Sequence, residues 1–598
     1  MSELKERSQI AKEDTWELES LYADDSLWEA DCKEIMADIE AFASEKGKIT
    51  ADIGSLYEVL EAYFSLTRRV DRLYTYAAMR ADQDTADTRY QGMRSRAQNV
   101  YVQYSTAAAF VQPEILACGD EAVKAAIAAD PGLASYERVL SEMLRDAEHT
   151  MDAKTESILA AAGNMAEVPG SVFNVLNNAD MKYPDAVLAD GTRIPITNSS
   201  FVSLLESPDR EVRKQVFQTY YGQINSFRNT FAALQDGNIK QAGFYAAQRK
   251  YPSVRASYLA GSHIPESVYD SLIEAVHEAL PAMYRYVALR KKLLRVDELH
   301  MYDVYTQLFP ATNKTYTIDE AKQMVAEGLK PMGEEYLSIL QEGFDNRWID
   351  VYPNKGKRTG AYSSGCYDSR PFVLLNFQGR LDDVFTLAHE MGHSIHSYYS
   401  GKNQPFQTSG YRIFVAEVAS TCNEALLNHD LLEKTSDPAQ KKYLLNHFLD
   451  TFKGTLFRQT MFAEFELAMH RMGEQGIPLT ADALCSKYLE LNQLYFGPDM
   501  ISDPEIACEW MRIPHFYTPF YVYQYATGFS AAIALSNRIL TGGEAAVEQY
   551  KSFLKGGSSK DPIDLLKMAG VDMTTPQPVA DALKMFAELV DELEQLIK

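Results

Sequence analysis

The chain has 598 residues, beyond the size at which one hydrophobic core stops growing, and 46% hydrophobic with 24% charged residues excludes a disordered chain. Its 58 basic and 83 acidic side chains leave a net charge of −25, a surface that repels phosphate backbones and excludes nucleic acid as a partner. Residues 1–7 are charged and carry no apolar leader core, no stretch approaches about 18 uninterrupted apolar residues, and the six cysteines are dispersed, so a cytoplasmic protein with reduced thiols and no membrane span is expected.

The pattern is helical through most of the chain. From Trp28 to about Glu45, Ile35, Met36, Ile39 and Phe42 recur at helical spacing, and from Leu56 to about Val111 the same period runs on with no proline before Pro113. Residues 183–198 interrupt it: two β-prone runs flank Asp190-Gly191, which predicts a hairpin. A boundary is expected there, separating an N-terminal helical lobe (1–198) from a second lobe (199–598). Ser207-Pro208-Asp209 predicts a helix start with Ser207 as its cap, and further helices are expected near 266–293, 318–342, 437–473 and 576–597. The second interruption is 347–377, where Arg347 to Tyr352 and Phe372 to Phe377 read as strands around a basic, glycine-containing turn from Lys355 to Ala361.

Residues 389–393 read His-Glu-Met-Gly-His. On a helix, residues i and i+4 share a face with Cβ atoms about 5–6 Å apart. His389 and His393 can therefore converge on one Zn²⁺ at about 2.0–2.1 Å. Glu390 lies about 100° round the helix, beside the ion rather than on it, where it can take a proton from an attacking water. Gly392 costs about 1 kcal/mol relative to alanine inside a helix, which suggests that something packs closely against it.

A third ligand must come from elsewhere. In the run from Phe414 to Glu424, Glu417 and Glu424 are seven apart on one face of a further helix, so one carboxylate can reach the metal while the other orients a ligand histidine. A solvated face is the ordinary explanation for two such glutamates, but the flanking Val415, Ala416, Val418 and Ala419 argue for burial. His396 is the rival third ligand. It lies about 10.5 Å along the axis from His389, which strains a shared small ion, so it reads as standing behind the ligands or against substrate. The aromatic segment from His515 to Tyr525 offers donors for a developing oxyanion, although such runs are more often core.

Together these segments resemble the M3, thimet oligopeptidase-like metallopeptidases, and most closely oligoendopeptidase F. The likeness is carried by Gly356 to Tyr362, Leu375-Asn376-Phe377, Thr386 to His396, and Phe414 to Ser420 with Glu424. The resemblance implies a mainly α fold: a two-lobed helical clam shell with a deep substrate channel and a small β ribbon beside the active-site helix. It implies Glu417 as the third zinc ligand with Glu424 behind, His515 and Tyr521 as the carbonyl-polarising pair, and Tyr525 as another tyrosine lining that site. The spacing from His515 to Tyr521 is one residue longer than in the animal members. Short unstructured peptides are the implied substrates, one Zn²⁺ per chain the implied cofactor, and 199–598 the implied catalytic part. An exposed edge at Phe372–Phe377 would pair with an extended peptide regardless of its side chains. Gly360, Ala361 and Leu375 are the expected substrate contacts. An aminopeptidase on the same metal helix, a peptide binder without catalysis, and a metal-free scaffold remain as alternatives.

Overall fold

A computed structural model of the chain describes residues 4–309 and 314–598, so the first three residues of the charged N-terminal stretch lie outside it. Acidic side chains start many of its helices. Asp24 accepts from the amides of Ser26 and Leu27 at the head of α1 (Asp25–Ala43), and Asp87 accepts from those of Arg89 and Tyr90. The run expected to continue from Leu56 to about Val111 is therefore two helices, α2 (Leu56–Gln83) and α3 (Thr88–Ala108), because Asp87 satisfies amides that a helix start leaves open. Asp209, not Ser207, caps α4 (Arg210–Asn225); the Ser207 hydroxyl accepts from the Asp209 amide instead. α5 (Glu266–Leu294) follows as expected. The segment 318–342 divides into α6 (Ile318–Gly328) and α7 (Gly333–Asp345), since Gly333 adopts a φ of +81°.

Next come α8 (Leu381–Asn403) and α9 (Ile413–Lys434), then α10 (Pro438–Phe452) and α11 (Arg458–Glu474). A π-helical turn over Lys453–Phe457 joins the last two within the expected 437–473 helix. The C-terminal helix is α12 (Gln577–Leu596).

Strands are few and short. β1 (Ala186–Val187) and β2 (Arg193–Ile194) form the antiparallel hairpin expected around Asp190-Gly191, with Ala186 opposite Ile194 and Gly191 at a φ of +86°. β3 (Leu299–His300) pairs in parallel with a late strand, Met500–Ile501. The remaining three, β4 (Ile349–Asp350), β5 (Tyr362–Ser364) and β6 (Phe372–Leu374), form one sheet in the order β4-β6-β5. One expectation is corrected here. Within the Phe372–Phe377 segment, β6 is the central strand, parallel to β4 and antiparallel to β5; the chain beside β4 bonds to Asp14 and Glu17, so among the described residues the edge without a backbone partner is that of β5. The physical reason is in the residues: Phe372, Val373 and Leu374 are an unbroken apolar run buried on both faces, as suits a central strand rather than an edge.

Among the described residues the chain divides into two compact units, one from within 1–148, 313–430 and 535–570, the other from within 149–312, 431–534 and 571–598. In the first, Trp16 packs edge-on to Phe372 and against Tyr362, so the N-terminal helices and the small sheet share one core with Phe372 and Leu374. In the second, α5 packs on α11 and α12, with the Tyr269 hydroxyl donating to the Ala463 carbonyl and Tyr286 edge-on to Phe586. The units follow packing in space, and residue 199 falls inside the second. No helix among the described residues is long and apolar enough to cross a membrane, and all six cysteines are free thiols.

Candidate metal centre

The metal helix α8 is held by its apolar side. Val384, Leu387, Ala388, Met391 and Ile395 are fully buried, which turns His389 and His393 together toward one half-buried edge. α9 lies against that helix at Gly392. A β-carbon there would come within 2.6 Å of the Ser420 Cα and 2.8 Å of the Ala419 carbonyl oxygen, so only glycine lets the two backbones approach this closely. The close packing read from Gly392 is thus present, and its partner is the stretch that follows Glu417. The buried Asn423 fixes the pair: its amide donates to the Ala388 carbonyl (3.1 Å) and its oxygen accepts from Tyr336 of α7 (2.8 Å). Nothing in its surroundings in the sequence marks Asn423, because a buried polar staple has no period or spacing of its own.

This packing brings three donors together. Nε2 of His389 and Nε2 of His393 are 3.2 Å apart, and Oε2 of Glu417 lies 3.3 Å from the first and 3.4 Å from the second. A tetrahedral ion bound at about 2.0–2.1 Å separates its donors by about 3.3–3.4 Å, so the triangle fits a zinc-sized ion, and two imidazoles with a carboxylate are a donor set that zinc accepts. Glu424 stands behind, with Oε1 3.4 Å from Nδ1 of His389, and Ser420 donates to Oε2 of Glu417 at 3.2 Å. Burial opposes a charge on His389, but hydrogen bonds to Glu417 and then Glu424 outweigh it and hold its pKa up to about 10. Burial likewise works against ionised Glu417, and the two histidines overcome it, holding the carboxyl well below its usual range.

Glu390 is not part of the triangle. It is 7% exposed, one carboxylate oxygen is buried with no hydrogen-bond partner among the described residues, and burial raises its pKa against the pull of both histidines. His396 is 1% exposed and stacks on Tyr411 at 3.8 Å, where burial, and then His393, depress its pKa to about 3. It is a neutral member of an aromatic cluster that also includes Phe553.

Beside α8, the turn before β5 is fastened from below. Lys357 is buried and pairs with the buried Asp350 at 2.6 Å, while Arg358 and the Tyr362 hydroxyl reach Asp82 of α2 at 3.0 and 2.9 Å. Only the Lys357–Asp350 pair is buried on both sides; Arg358 is half exposed and meets the buried Asp82 from the surface. The basic residues of the turn are therefore its anchors, and they leave Gly360, at a φ of +83°, and Ala361 facing a cavity. That cavity, about 270 Å³, is also lined by Leu375, Asn376, Arg380 and Thr386, the last one turn before His389. Asn376 donates to the carbonyls of Arg358 and Gly360. A second cavity, about 1140 Å³, is lined by Ser364 at the end of β5 and by Ser397, Tyr398 and Gly401, on the two turns after His393. β5 is tied to α8 between them by a hydrogen bond between Ser363 and Ser394.

His515, Tyr521 and Tyr525 form a separate cluster in the second unit. The rings of His515 and Tyr521 are parallel at 5.9 Å, both stand about perpendicular to Tyr525, and the Tyr525 hydroxyl is 3.4 Å from Nε2 of His515. Burial holds the His515 pKa below its ordinary value, so the ring is neutral with one N–H to donate.

The model of peptidase family M3 matches residues 203–585, and that of oligopeptidase F matches 114–183. Oligopeptidase PepF of Bacillus subtilis is 46% identical over 596 residues, covering 100% of this chain and 89% of the relative. Group B oligopeptidase PepB of Streptococcus agalactiae is 40% identical, covering 99% of this chain and 98% of its own length. The crystal structure of oligoendopeptidase-F from Enterococcus faecium superposes with a TM-score of 0.74 at 38% identity, covering 96% of this chain and all of that one. A mainly α fold with a small sheet, a family match over most of the chain and full-length relatives lead to one assignment: the chain belongs to peptidase family M3 and is a metalloendopeptidase.

Proposed function

We propose that the protein is a zinc-dependent oligoendopeptidase that hydrolyses internal bonds of short unstructured peptides. The observation that carries the reading is the triangle of His389, His393 and Glu417, whose spacing suits one tetrahedral ion. These three residues hold Zn²⁺, which when bound lowers the pKa of a water and polarises a carbonyl. Glu390, buried and with a free carboxylate oxygen, accepts the proton of the attacking water and passes it to the departing amine. Glu424 holds His389 in the tautomer that presents Nε2. The hydroxyl of Tyr521 and the N–H of His515, with Tyr525 beside them, donate hydrogen bonds to the carbonyl oxygen as it becomes negative.

A peptide lies extended along the free edge of β5, where backbone pairing needs no particular side chains. It contacts Gly360, Ala361 and Leu375 at one end and enters the larger cavity at the other. The same proposal assigns the catalytic part to 199–598, since the family match begins at 203, and places the protein in the cytoplasm, in keeping with its free thiols and acidic surface. Mass spectrometry of an N-terminally blocked peptide series graded by length tests all of this at once. Internal cleavage of short members, its loss with chelator, and sparing of a folded protein are expected. Cleavage only of unblocked N-termini would leave an aminopeptidase, and cleavage indifferent to chelator would remove the metal from the reaction.

A further inference from the structure

Within the second unit, Tyr521 follows a backbone position that its residue disfavours. Phe520 has a φ of +55°, a left-handed conformation that a bulky side chain rarely adopts, and the ring is only 3% exposed. A strained residue persists where its surroundings over-determine it. Here the ring is boxed by Tyr269 (5.7 Å), Tyr258 (6.5 Å) and His470 (4.8 Å). Its amide donates to Oε1 of Glu466 on α11 at 2.8 Å. Glu466 is fully buried, and among the described residues it has no cation in an ion pair and its other oxygen has no hydrogen-bond partner. His470 follows one turn later on the same face, 1% exposed, with neither ring nitrogen partnered among the described residues. A buried carboxyl of this kind is an expensive way to fill core, and its one hydrogen bond goes to the residue before Tyr521.

We propose that Glu466 is a positioning residue for the His515–Tyr521 pair. By accepting the Phe520 amide it locks the left-handed turn and so fixes where the Tyr521 ring lies, parallel to His515. The reading rests on the role given to Tyr521 under the proposed function. Burial lifts the Glu466 pKa to about 8, so at neutral pH the group is largely a neutral acid, which a glutamine side chain imitates in size and in its carbonyl acceptor. An aspartate keeps the carboxyl but is one methylene shorter and no longer reaches the amide.

The test is steady-state kinetics on the full chain with a length-matched peptide, together with zinc content and thermal melting of each variant. E466Q is expected to keep kcat within about threefold. E466D is expected to lower kcat about tenfold or more, with KM within about twofold and one zinc still bound. Y521F should lower kcat in the parent chain but add little in the E466D background, because the tyrosine is already displaced. Loss of activity in E466Q with full activity in E466D would show that charge, not reach, matters and would overturn the proposal. So would an undiminished effect of Y521F in E466D. If Y521F alone leaves kcat unchanged, the role given to Tyr521 fails instead, and that result is read from a different variant. Should E466D fail to fold, E466Q with the Y521F pair still decides: a fall of tenfold or more in E466Q overturns the assignment.

Discussion

Replacement of Glu390 by glutamine is expected to lower kcat/KM by about a thousandfold while leaving one zinc per chain and peptide affinity within about threefold. General-base catalysis contributes about 10²–10⁴-fold, and the amide keeps the shape of the acid but cannot hold the proton. The metal is spared because Glu390 takes no part in the donor triangle, whose three distances of 3.2, 3.3 and 3.4 Å involve only His389, His393 and Glu417. The fold is spared because Glu390 has one carboxylate oxygen with no hydrogen bond to lose. Initial rates and metal analysis on the same preparation check this. A variant that keeps more than a few per cent of parental turnover removes Glu390 from the role of base. One that loses zinc as well assigns it to the metal instead.

Gly392→Ala is expected to do the reverse, weakening the metal site through packing. The added methyl would sit 2.6 Å from the Ser420 Cα, 2.8 Å from the Ala419 carbonyl oxygen and 2.9 Å from the Ser420 amide nitrogen. All three are backbone atoms, so no side chain can swing aside, and α9 must move as a body. Overpacking of this kind costs about 1–3 kcal/mol. Because Glu417 is one turn before Ser420, the same shift opens the triangle. Zinc affinity is expected to fall at least tenfold, read by competition with a chromogenic chelator, and the melting temperature by several degrees. Gly401 is the control on the same helix: a β-carbon there meets nothing within 4 Å. Gly401→Ala should therefore stabilise by about 0.5–1 kcal/mol through helix propensity and leave zinc binding as it was. Equal zinc affinity in both variants would mean that the close approach of α8 and α9 does not set the site.

The contrast between these glycines explains what the sequence could and could not reveal. The i, i+4 histidines and the two glutamates seven apart are local facts about single helices, and they are legible because a helix converts spacing into a shared face. That Glu417 rather than Glu424 sits nearest both Nε2 atoms depends on how two helices cross, which Gly392 permits and Asn423 fixes. Gly392 left a trace as an unfavourable residue in a helix, whereas Asn423 left none. The sheet repeats the lesson. Strands β4 and β6 are visible as apolar runs, but β5 has no signal of its own between the Lys355–Ala361 turn and Phe372, because Tyr362-Ser363-Ser364 has no alternation and is a strand only through pairing with β6. The free edge was accordingly assigned to the wrong strand. The break at Asp84–Asp87 shows the opposite error, a helical period continued across an acidic cap that carries no proline.

The discontinuous units have the same origin. The Trp16 ring sits against Phe372, more than three hundred residues later, and no composition shift announces a core built from distant stretches. The family match that begins at 203 marks a segment of the chain rather than a body in space.

The central claim is that two imidazoles on α8 and one carboxylate on α9 grip a single ion. Anomalous diffraction from crystals of the purified protein, collected on both sides of the zinc absorption edge, addresses it directly. The account predicts one peak per chain, about 2.0–2.1 Å from Nε2 of His389, Nε2 of His393 and the Glu417 carboxylate. A peak bound elsewhere, or one that reaches the histidines while Glu417 points away, would contradict it.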